Sequence, residues 1–190
     1  MPSLALTFDD GPDPRWTPAV LDALRAAGAR ATFFVLGEHV RRHPDLVRRT
    51  VGEGHDVEVH ADRHVRHTEL TAAEGAADLD RALETLAGLG VRARHWRTPW
   101  GVETAWTRRV AAGRGLDCVG WTADTHDWRG DPAGSMLAAV LPDLGEGAIV
   151  LAHDGLGPGA LRDGCEETVA LVGPLVAAAR EQGLEPGPLP

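Results

Sequence analysis

Two adjacent carboxylates, Asp9 and Asp10, stand in the segment Thr7–Pro12, which reads TFDDGP. The Gly-Pro pair behind them predicts a sharp turn directly after a β-strand. Two like charges this close repel each other, and a cation between them removes that cost. One carboxylate could therefore bind a metal ion while the other faces a bound water. The alternative, from this segment alone, is that the two acids only cap a helix or form a turn.

A second group consists of His60 and His64, which are four residues apart. On a helical turn this spacing places both imidazoles on one face, where they could bind a metal ion. With Asp10 they would form a two-histidine, one-carboxylate site that suits several divalent metals and leaves positions open for water and substrate. The alternative is a pair of exposed histidines in a polar loop. The same spacing occurs at His39 and His43, but no strand-end carboxylate accompanies them, and we assign that pair to a solvated helix face.

Polar side chains also lie at or just after the ends of three later predicted strands, in the segments Arg97–Gly101, Asp124–Trp128 and Ile149–Asp154. Arg97 can hold a carboxylate in fixed geometry through paired hydrogen bonds, and Trp100 could form an apolar wall against a sugar or acyl group. His153 could serve as a general acid, with Asp127 fixing its tautomer and raising its basicity. Taken singly, each of these residue types is more often structural, so their common location carries the argument.

Short β-like runs alternate with helix-like runs along the whole chain and would position these groups. The predicted strands are Leu4–Phe8, Ala31–Leu36, Asp56–His60, Arg94–Thr98, Leu116–Ala123 and Ala148–His153. The predicted helices are Pro18–Ala27, Glu38–Glu53, Ala72–Leu89, Glu103–Ala112, Pro132–Leu144 and Glu166–Gln182. Thr71 and Glu74 predict a capping box before the third helix. Residues Leu184–Pro188 could add a short closing strand, although their prolines argue against it.

Successive βα units with short loops predict a parallel sheet with helices packed outside it. Six strands fall short of eight, so we expect an α/β fold that is an incomplete or distorted (β/α) barrel of six to seven βα units. An open doubly wound sheet is the alternative. In both architectures chemistry gathers at the carboxyl ends of the strands, where five predicted strands deliver acids, bases or metal ligands. No linker or low-complexity tract divides the chain, so residues 1–190 are predicted to form a single catalytic domain.

Composition excludes several classes of partner. The 190 residues carry a net charge of −9, which argues against nucleic acid and anionic membranes as partners. No apolar run approaches the roughly 20 residues that span a bilayer. The few residues before Leu4 leave no room for a signal peptide, so the sequence as given predicts a cytoplasmic protein, or an extracellular one if the natural chain is longer. The sequence does not determine the oligomeric state.

In their order along the chain, these motifs resemble those of the polysaccharide deacetylase family, the NodB-homology carbohydrate esterases of family 4. The resemblance runs from Thr7 to about Asp154 and rests on TFDDGP, HxxxH, RxPxG, DxxDW and LxH. One departure is Ala61, where the family usually has Ser or Thr after the first metal histidine. Because that hydroxyl stabilises the loop, the departure predicts either weaker metal affinity or a loop braced by Asp62 or Arg63.

The resemblance implies a metal-dependent hydrolase that removes N-acetyl groups from oligo- or polysaccharides containing N-acetylglucosamine. Substrates would be of the chitooligosaccharide or peptidoglycan type, and acetate would be released. The resemblance implies Asp9 as catalytic base, held by Arg97, and His153 as catalytic acid, paired with Asp127. Two alternatives stay open. The same metal chemistry could act on an O-acetyl ester or a small non-sugar amide, or the chain could be a non-catalytic carbohydrate-binding domain.

The resemblance also implies one divalent metal ion and an acetyl pocket. The ion would be Zn²⁺, with Co²⁺, Ni²⁺ or Mn²⁺ as alternatives, and its ligands would be Asp10, His60 and His64. The acetyl pocket would be lined by Trp100, Trp128 and Leu151, with the Trp100 backbone N–H in the oxyanion hole.

Overall fold

The computed structural model describes residues 2–190 and is organised around one sheet. Its strands in this part of the chain are β1 (Ser3–Asp9), β2 (Thr32–Leu36), β3 (Asp56–Ala61), β4 (His95–Trp96), β5 (Asp117–Cys118), β6 (Ala123–Asp124), β7 (Ile149–His153) and β8 (Glu185–Gly187). Its helices are α1 (Trp16–Ala27), α2 (Gly37–Arg42), α3 (Pro44–Gly52), α4 (Ala72–Ala87), α5 (Thr107–Ala112), α6 (Ala133–Val140) and α7 (Glu166–Glu181).

The strands pair in parallel in the order β5-β4-β3-β2-β1-β7-β6, and β8 pairs with the start of β1. This order is that of a barrel interrupted between β5 and β6. The predicted incomplete (β/α) barrel is therefore confirmed, and the doubly wound alternative is wrong. The uncertain closing strand is present as β8. In the described part of the chain, no helix is long and apolar enough to cross a membrane.

The gap in the barrel corrects the predicted strand Leu116–Ala123. Residues 119–122 cross from one edge of the sheet to the other, which leaves only the two-residue strands β5 and β6 on either side. Val119 N still donates to Trp96 O at 3.1 Å, whereas Thr122 N already donates to Ile149 O at 2.9 Å. Backbone groups at the two ends of one apolar run thus pair with opposite edges, which a continuous strand could not do.

Proline divides the predicted helix Glu38–Glu53. The structure ends α2 at Arg42 and begins α3 at Pro44, with His43 between them at φ −134°. Because a proline ring disfavours helical backbone in the residue before it, a helix rarely continues through such a position. The predicted helix Glu103–Ala112 also begins later, at Thr107. The capping box is confirmed, because Thr71 N donates to Glu74 Oε2 at 2.8 Å and Thr71 Oγ1 accepts from Glu74 N at 3.3 Å.

Strand β1 separates an apolar face from a polar one. Its alternate residues Leu4, Leu6 and Phe8 join the large core between the sheet and the helices. On the opposite face, Ala5 packs with Phe34 inside the barrel, and Thr7 and Asp9 follow it towards the carboxyl end of the strand. The period-two alternation of a strand therefore carries the first carboxylate into the open mouth of the barrel.

Candidate active site

The carboxyl ends of the strands surround one cavity of about 380 Å³. Eight of the predicted site residues line it, namely Asp9, Asp10, His60, His64, Trp100, Trp128, Leu151 and His153. The other two, Arg97 and Asp127, lie behind the wall and are 0% and 1% exposed. The structure therefore brings together all ten residues that the sequence singled out.

Arg97 holds Asp9 from inside the barrel. Its Nη1 donates to Asp9 Oδ1 at 2.9 Å and to Thr7 Oγ1 at 2.7 Å. Its Nη2 donates to the backbone oxygen of Gly120 at 2.8 Å, and its guanidinium lies 4.2 Å from the centre of the Phe34 ring. The prediction of paired hydrogen bonds to one carboxylate is wrong in detail, because Arg97 spreads its donors over three partners. Asp9 is nevertheless fixed by a fully buried positive charge.

Asp10, His60 and His64 form a cluster that could hold a metal ion. The Nε2 atoms of His60 and His64 lie 3.5 and 3.2 Å from Asp10 Oδ1, and one ligand atom from each residue falls within 4.8 Å of the others. Among the described residues, this buried carboxylate oxygen has no hydrogen-bond partner. A buried carboxylate oxygen without a donor is costly, and a cation would satisfy it. Two nitrogens and one oxygen also suit a catalytic zinc-type site with an open position.

His60 is prepared for this role by its second ring nitrogen. Its Nδ1 lies 2.6 Å from the backbone oxygen of Arg97, which places the proton on Nδ1 and leaves the Nε2 lone pair towards Asp10. Burial lowers the pKa of His60, against the raising effect of the carboxylates of Asp9 and Asp10. The imidazole is therefore held neutral, which is the form that binds a metal ion.

Strained backbone accompanies the site. In the described chain, the residues other than glycine with positive φ are Asp10 at 75°, Trp100 at 55° and His126 at 53°. Such conformations are unfavourable for residues with a Cβ atom and concentrate at functional sites. Asp10 and Trp100 line the cavity, and the His126 ring lies against that of Trp128, with 6.5 Å between their centres.

His39 corrects the assignment of the His39 and His43 pair to a solvated face. Its Nδ1 lies 3.0 Å from the backbone oxygen of Asp10, and its side chain is only 26% exposed. A donor from α2 thus supports the backbone of a predicted metal ligand. Spacing alone could not reveal this contact, because it depends on how α2 packs beside β1.

The loop that carries His64 is irregular and is not the helical turn that the spacing had indicated. His60 lies in β3 and His64 in the loop behind it. Asp62, between them, accepts from Arg41 Nη1 at 2.6 Å and Arg81 Nε at 3.2 Å, and its own backbone N–H donates to Asp78 Oδ2 at 2.8 Å. Buried carboxylates therefore brace this loop where Ala61 offers no hydroxyl.

His153 and Asp127 form a buried pair on the opposite side of the cavity. Nδ1 of His153 lies 2.7 Å from Asp127 Oδ1, and the His153 backbone N–H donates to Oδ2 at 2.9 Å. Burial opposes the charge on His153, but the Asp127 charge and hydrogen bond outweigh it and raise the His153 pKa to about 9. Burial likewise raises the pKa of Asp127, yet the imidazolium and its hydrogen bond, with Arg162, lower it to about 2. The imidazole is therefore protonated at neutral pH.

Comparison with known proteins places this geometry in a family. Residues 1–119 match the sequence profile described as polysaccharide deacetylase. The chain belongs to the polysaccharide deacetylase family. The chain is 38% identical over 201 residues to a chitooligosaccharide deacetylase of Bradyrhizobium sp. (strain ANU 289), a match that covers 99% of this chain and 89% of that protein.

Two further deacetylase-family relatives differ in how much of their own length matches the present chain. A peptidoglycan-N-acetylglucosamine deacetylase of Listeria monocytogenes is 39% identical over 155 residues, which cover 80% of this chain and 32% of that protein. The structure of a family 4 carbohydrate esterase from Streptomyces lividans in complex with acetate superposes with a TM-score of 0.87. Its sequence identity is 33%, and the match covers 97% of this chain and 91% of that one.

The lining of the deacetylase cavity also includes residues to which the sequence assigned no role, among them Arg66, Trp121, Asp124, Gly155, Gly157 and Arg162. Arg66 places its guanidinium 4.2 Å from the centre of the Trp100 ring. Trp121 was hidden because it falls in the run mistaken for a continuous strand. The glycine-rich stretch after His153 was a usable signal, since loops with several glycines often approach a site closely.

Proposed function

We propose that the chain is a divalent-metal-dependent de-N-acetylase acting on oligo- or polysaccharides that contain N-acetylglucosamine. The observation that carries the proposal is that two side chains with different hydrogen-bond partners stand beside one cluster of residues that could hold a metal ion. Asp9, anchored by Arg97, and His153, charged through Asp127, both border the cavity that contains Asp10. An acid and a base on either side of an electrophile is what amide hydrolysis requires.

Asp10, His60 and His64 would hold the ion, and we propose Zn²⁺, with Co²⁺, Ni²⁺ or Mn²⁺ as alternatives. When bound, such an ion supplies Lewis-acid polarisation of a carbonyl oxygen and lowers the pKa of water. Asp9 accepts the proton that the attacking water loses. The C–N bond of the acetamide breaks, His153 gives its proton to the leaving amine nitrogen, and acetate and a free amino sugar result.

The remaining lining residues bind and orient the acetyl group. We propose that the side chains of Trp100, Trp128 and Leu151 enclose the methyl group, and that the Trp100 backbone N–H stabilises the developing oxyanion. The positive φ of Trp100 supports this assignment, because it marks a backbone conformation that packing imposes at the cavity. Aromatic faces at the rim, including Trp121, suit the apolar faces of sugar rings.

The relatives support a sugar substrate. Their names describe deacetylases of chitooligosaccharides and of peptidoglycan N-acetylglucosamine, and the chain covers 89% of the first of them. The test is acetate release by the zinc-loaded protein from N-acetylglucosamine oligomers, O-acetylated xylan-type esters and a simple N-acetyl amine. We expect the highest kcat/KM with the oligomers. A higher kcat/KM with the esters or the simple amide would show that the proposed sugar substrate is wrong. Oligomer binding without any acetate release would indicate a non-catalytic binding domain.

A further inference from the structure

The segment between β7 and α7 carries a buried arginine behind the acid pair. We call residues 155–165 the acid loop, and the side chain of its Arg162 is 6% exposed. Arg162 Nη1 lies 3.1 Å from Asp127 Oδ2, while Nη2 donates to the backbone oxygens of His153 and Gly155 at 3.3 and 3.4 Å. One guanidinium therefore bridges the carboxylate that holds His153 and the backbone of His153 itself.

A second link runs through Thr168, which is buried in the first turn of α7. Arg162 Nη1 donates to Thr168 Oγ1, and this hydroxyl donates to Asp127 Oδ2 at 2.7 Å. Both oxygens of Asp127 are thus occupied, one by the His153 ring and the other by Thr168, Arg162 and the His153 amide. Arg162 Nε has no partner among the described residues, but both of its terminal nitrogens and both Asp127 oxygens are engaged, and such a buried network holds its members in one geometry.

The other side of the acid loop packs on Asp10. A Cβ atom at Gly155 or Gly157 would overlap with Asp10, so only glycine fits at these close approaches. The loop therefore touches the predicted metal ligand with its glycines and the acid pair with Arg162.

We propose that Arg162 is a positioning residue for proton donation to the leaving amine. It fixes Asp127 and the His153 backbone, so that His153 Nε2 keeps its direction into the cavity. The proposal rests on the proposed deacetylase function. Arg162 borders the cavity, but both of its terminal nitrogens are directed at Asp127, Thr168 and backbone oxygens.

Comparison of two substrates with different leaving groups distinguishes a role in proton donation from a merely structural role. An amine leaves an acetamide only with a proton from His153, whereas the phenolate of 4-nitrophenyl acetate leaves without one. We expect Arg162→Met to lower kcat about tenfold on N-acetylglucosamine oligomers, with an unchanged KM. This is a part of the roughly 10²–10⁴-fold that a general acid contributes. The rate on 4-nitrophenyl acetate should stay within about twofold of wild type.

Two variants calibrate this result. Arg162→Lys keeps the charge and should recover part of the lost kcat, because one ammonium cannot reach all four partners. Arg180→Met is the matched control, since Arg180 also bridges two backbone oxygens, of Ala27 and Gly28, and a carboxylate, of Glu185. We expect this variant to keep both rates.

The outcomes separate the inference from the function on which it rests. His153→Ala should lose amide turnover and keep ester turnover, and if it keeps both, the proposed acid is wrong whatever Arg162 does. If His153→Ala loses amide turnover but Arg162→Met loses both rates in parallel, raises only KM or loses nothing, the positioning role is wrong.

A proton NMR measurement tests the same role without relying on catalytic activity, which matters if a variant is inactive or folds poorly. The His153 Nδ1 proton, held by Asp127, should give a proton resonance downfield of the backbone amides in wild type and Arg180→Met. We expect this resonance to be lost or shifted in Arg162→Met. If urea denaturation shows that Arg162→Met does not fold, Thr168→Val removes the hydroxyl link alone and should change the resonance in the same way. An unchanged resonance in folded Arg162→Met or, where that variant does not fold, in Thr168→Val would overturn the proposal.

Discussion

Asp9 and Asp10 are neighbours in the chain and are almost equally buried, at 3% and 4% exposure, yet the protein treats them differently. Asp9 Oδ1 accepts a hydrogen bond from Arg97, whose guanidinium is anchored to Thr7 and Gly120. Asp10 Oδ1 has no hydrogen-bond partner among the described residues and faces His60 and His64. The fold therefore supplies a hydrogen-bond donor to the Asp9 carboxylate and none to Oδ1 of Asp10.

The difference assigns two kinds of chemistry to two identical side chains. A carboxylate held by a fixed cation keeps one direction, as a proton acceptor in a reaction must. A buried carboxylate oxygen without a hydrogen-bond donor is costly, and a cation between it and the two imidazole nitrogens would remove that cost. In the proposed mechanism, environment therefore separates the base from the metal ligand within one dipeptide.

We expect the largest loss of activity when the Asp9 carboxylate is replaced by a neutral amide. Asp9→Asn should lower kcat for acetate release by about 10²–10⁴-fold, the usual contribution of a positioned general base. Zinc binding measured by isothermal titration should be unchanged, because Asp10, His60 and His64 are intact. Asp45→Asn, at a 93% exposed side chain, is the control. Normal turnover in Asp9→Asn would remove the contrast between the two carboxylates.

Removal of the buried cation should affect the fold more than the metal site. Arg97→Met leaves Asp9 without its partner, and breaking a buried ion pair costs about 3–5 kcal/mol in the free energy of unfolding. Urea denaturation checks this value. Arg48→Met, at an exposed pair with Asp45, should change stability by less than about 1 kcal/mol. A similar loss in both variants would mean that Arg97 has no special structural role.

The acid pair gives a pH dependence whose sign follows from its charges. The His153 pKa is raised to about 9, so the proton donor is present below that pH and is lost as pH rises through it. The basic limb of kcat against pH should therefore lie near pH 9 in the wild type. Asp127→Asn removes the raising charge, so this limb should move to lower pH by about one unit or more. A shift to higher pH would contradict the pairing.

The smallest effect concerns the backbone of Asp10. His39→Phe removes the donor to the Asp10 backbone oxygen and should weaken zinc affinity about tenfold, as loss of an outer partner of a metal ligand does. His43→Phe is the matched control, because His43 lies four residues further along the same predicted pair. Equal zinc affinities in the two variants would show that the His39 contact does not support the site.

The sequence predicted the barrel and the meeting of the ten candidate residues at its mouth because both follow from short-range signals. Strand ends are marked by turn residues, and parallel strands bring their carboxyl ends to one rim, so Asp10 and His60 could be placed together although they are distant in sequence. The split at His43 is also readable from the sequence, because Pro44 disfavours helical backbone at the residue before it. The crossing at residues 119–122 was not readable, since an apolar run does not record which edge of a sheet it pairs with. Arg162 is not readable either, because Asp127 comes from a distant element and the contacts with His153, Gly155 and Thr168 depend on how the acid loop folds.

The most direct test of the central claim is acetate release from N-acetylglucosamine oligomers by metal-stripped protein titrated with Zn²⁺, in wild type and Asp10→Asn. The account predicts no turnover in the stripped wild type and full turnover at one zinc per chain. It predicts neither stoichiometric zinc binding nor turnover in Asp10→Asn. Full acetate release by the stripped protein, or one zinc per chain and normal turnover in Asp10→Asn, would contradict the account.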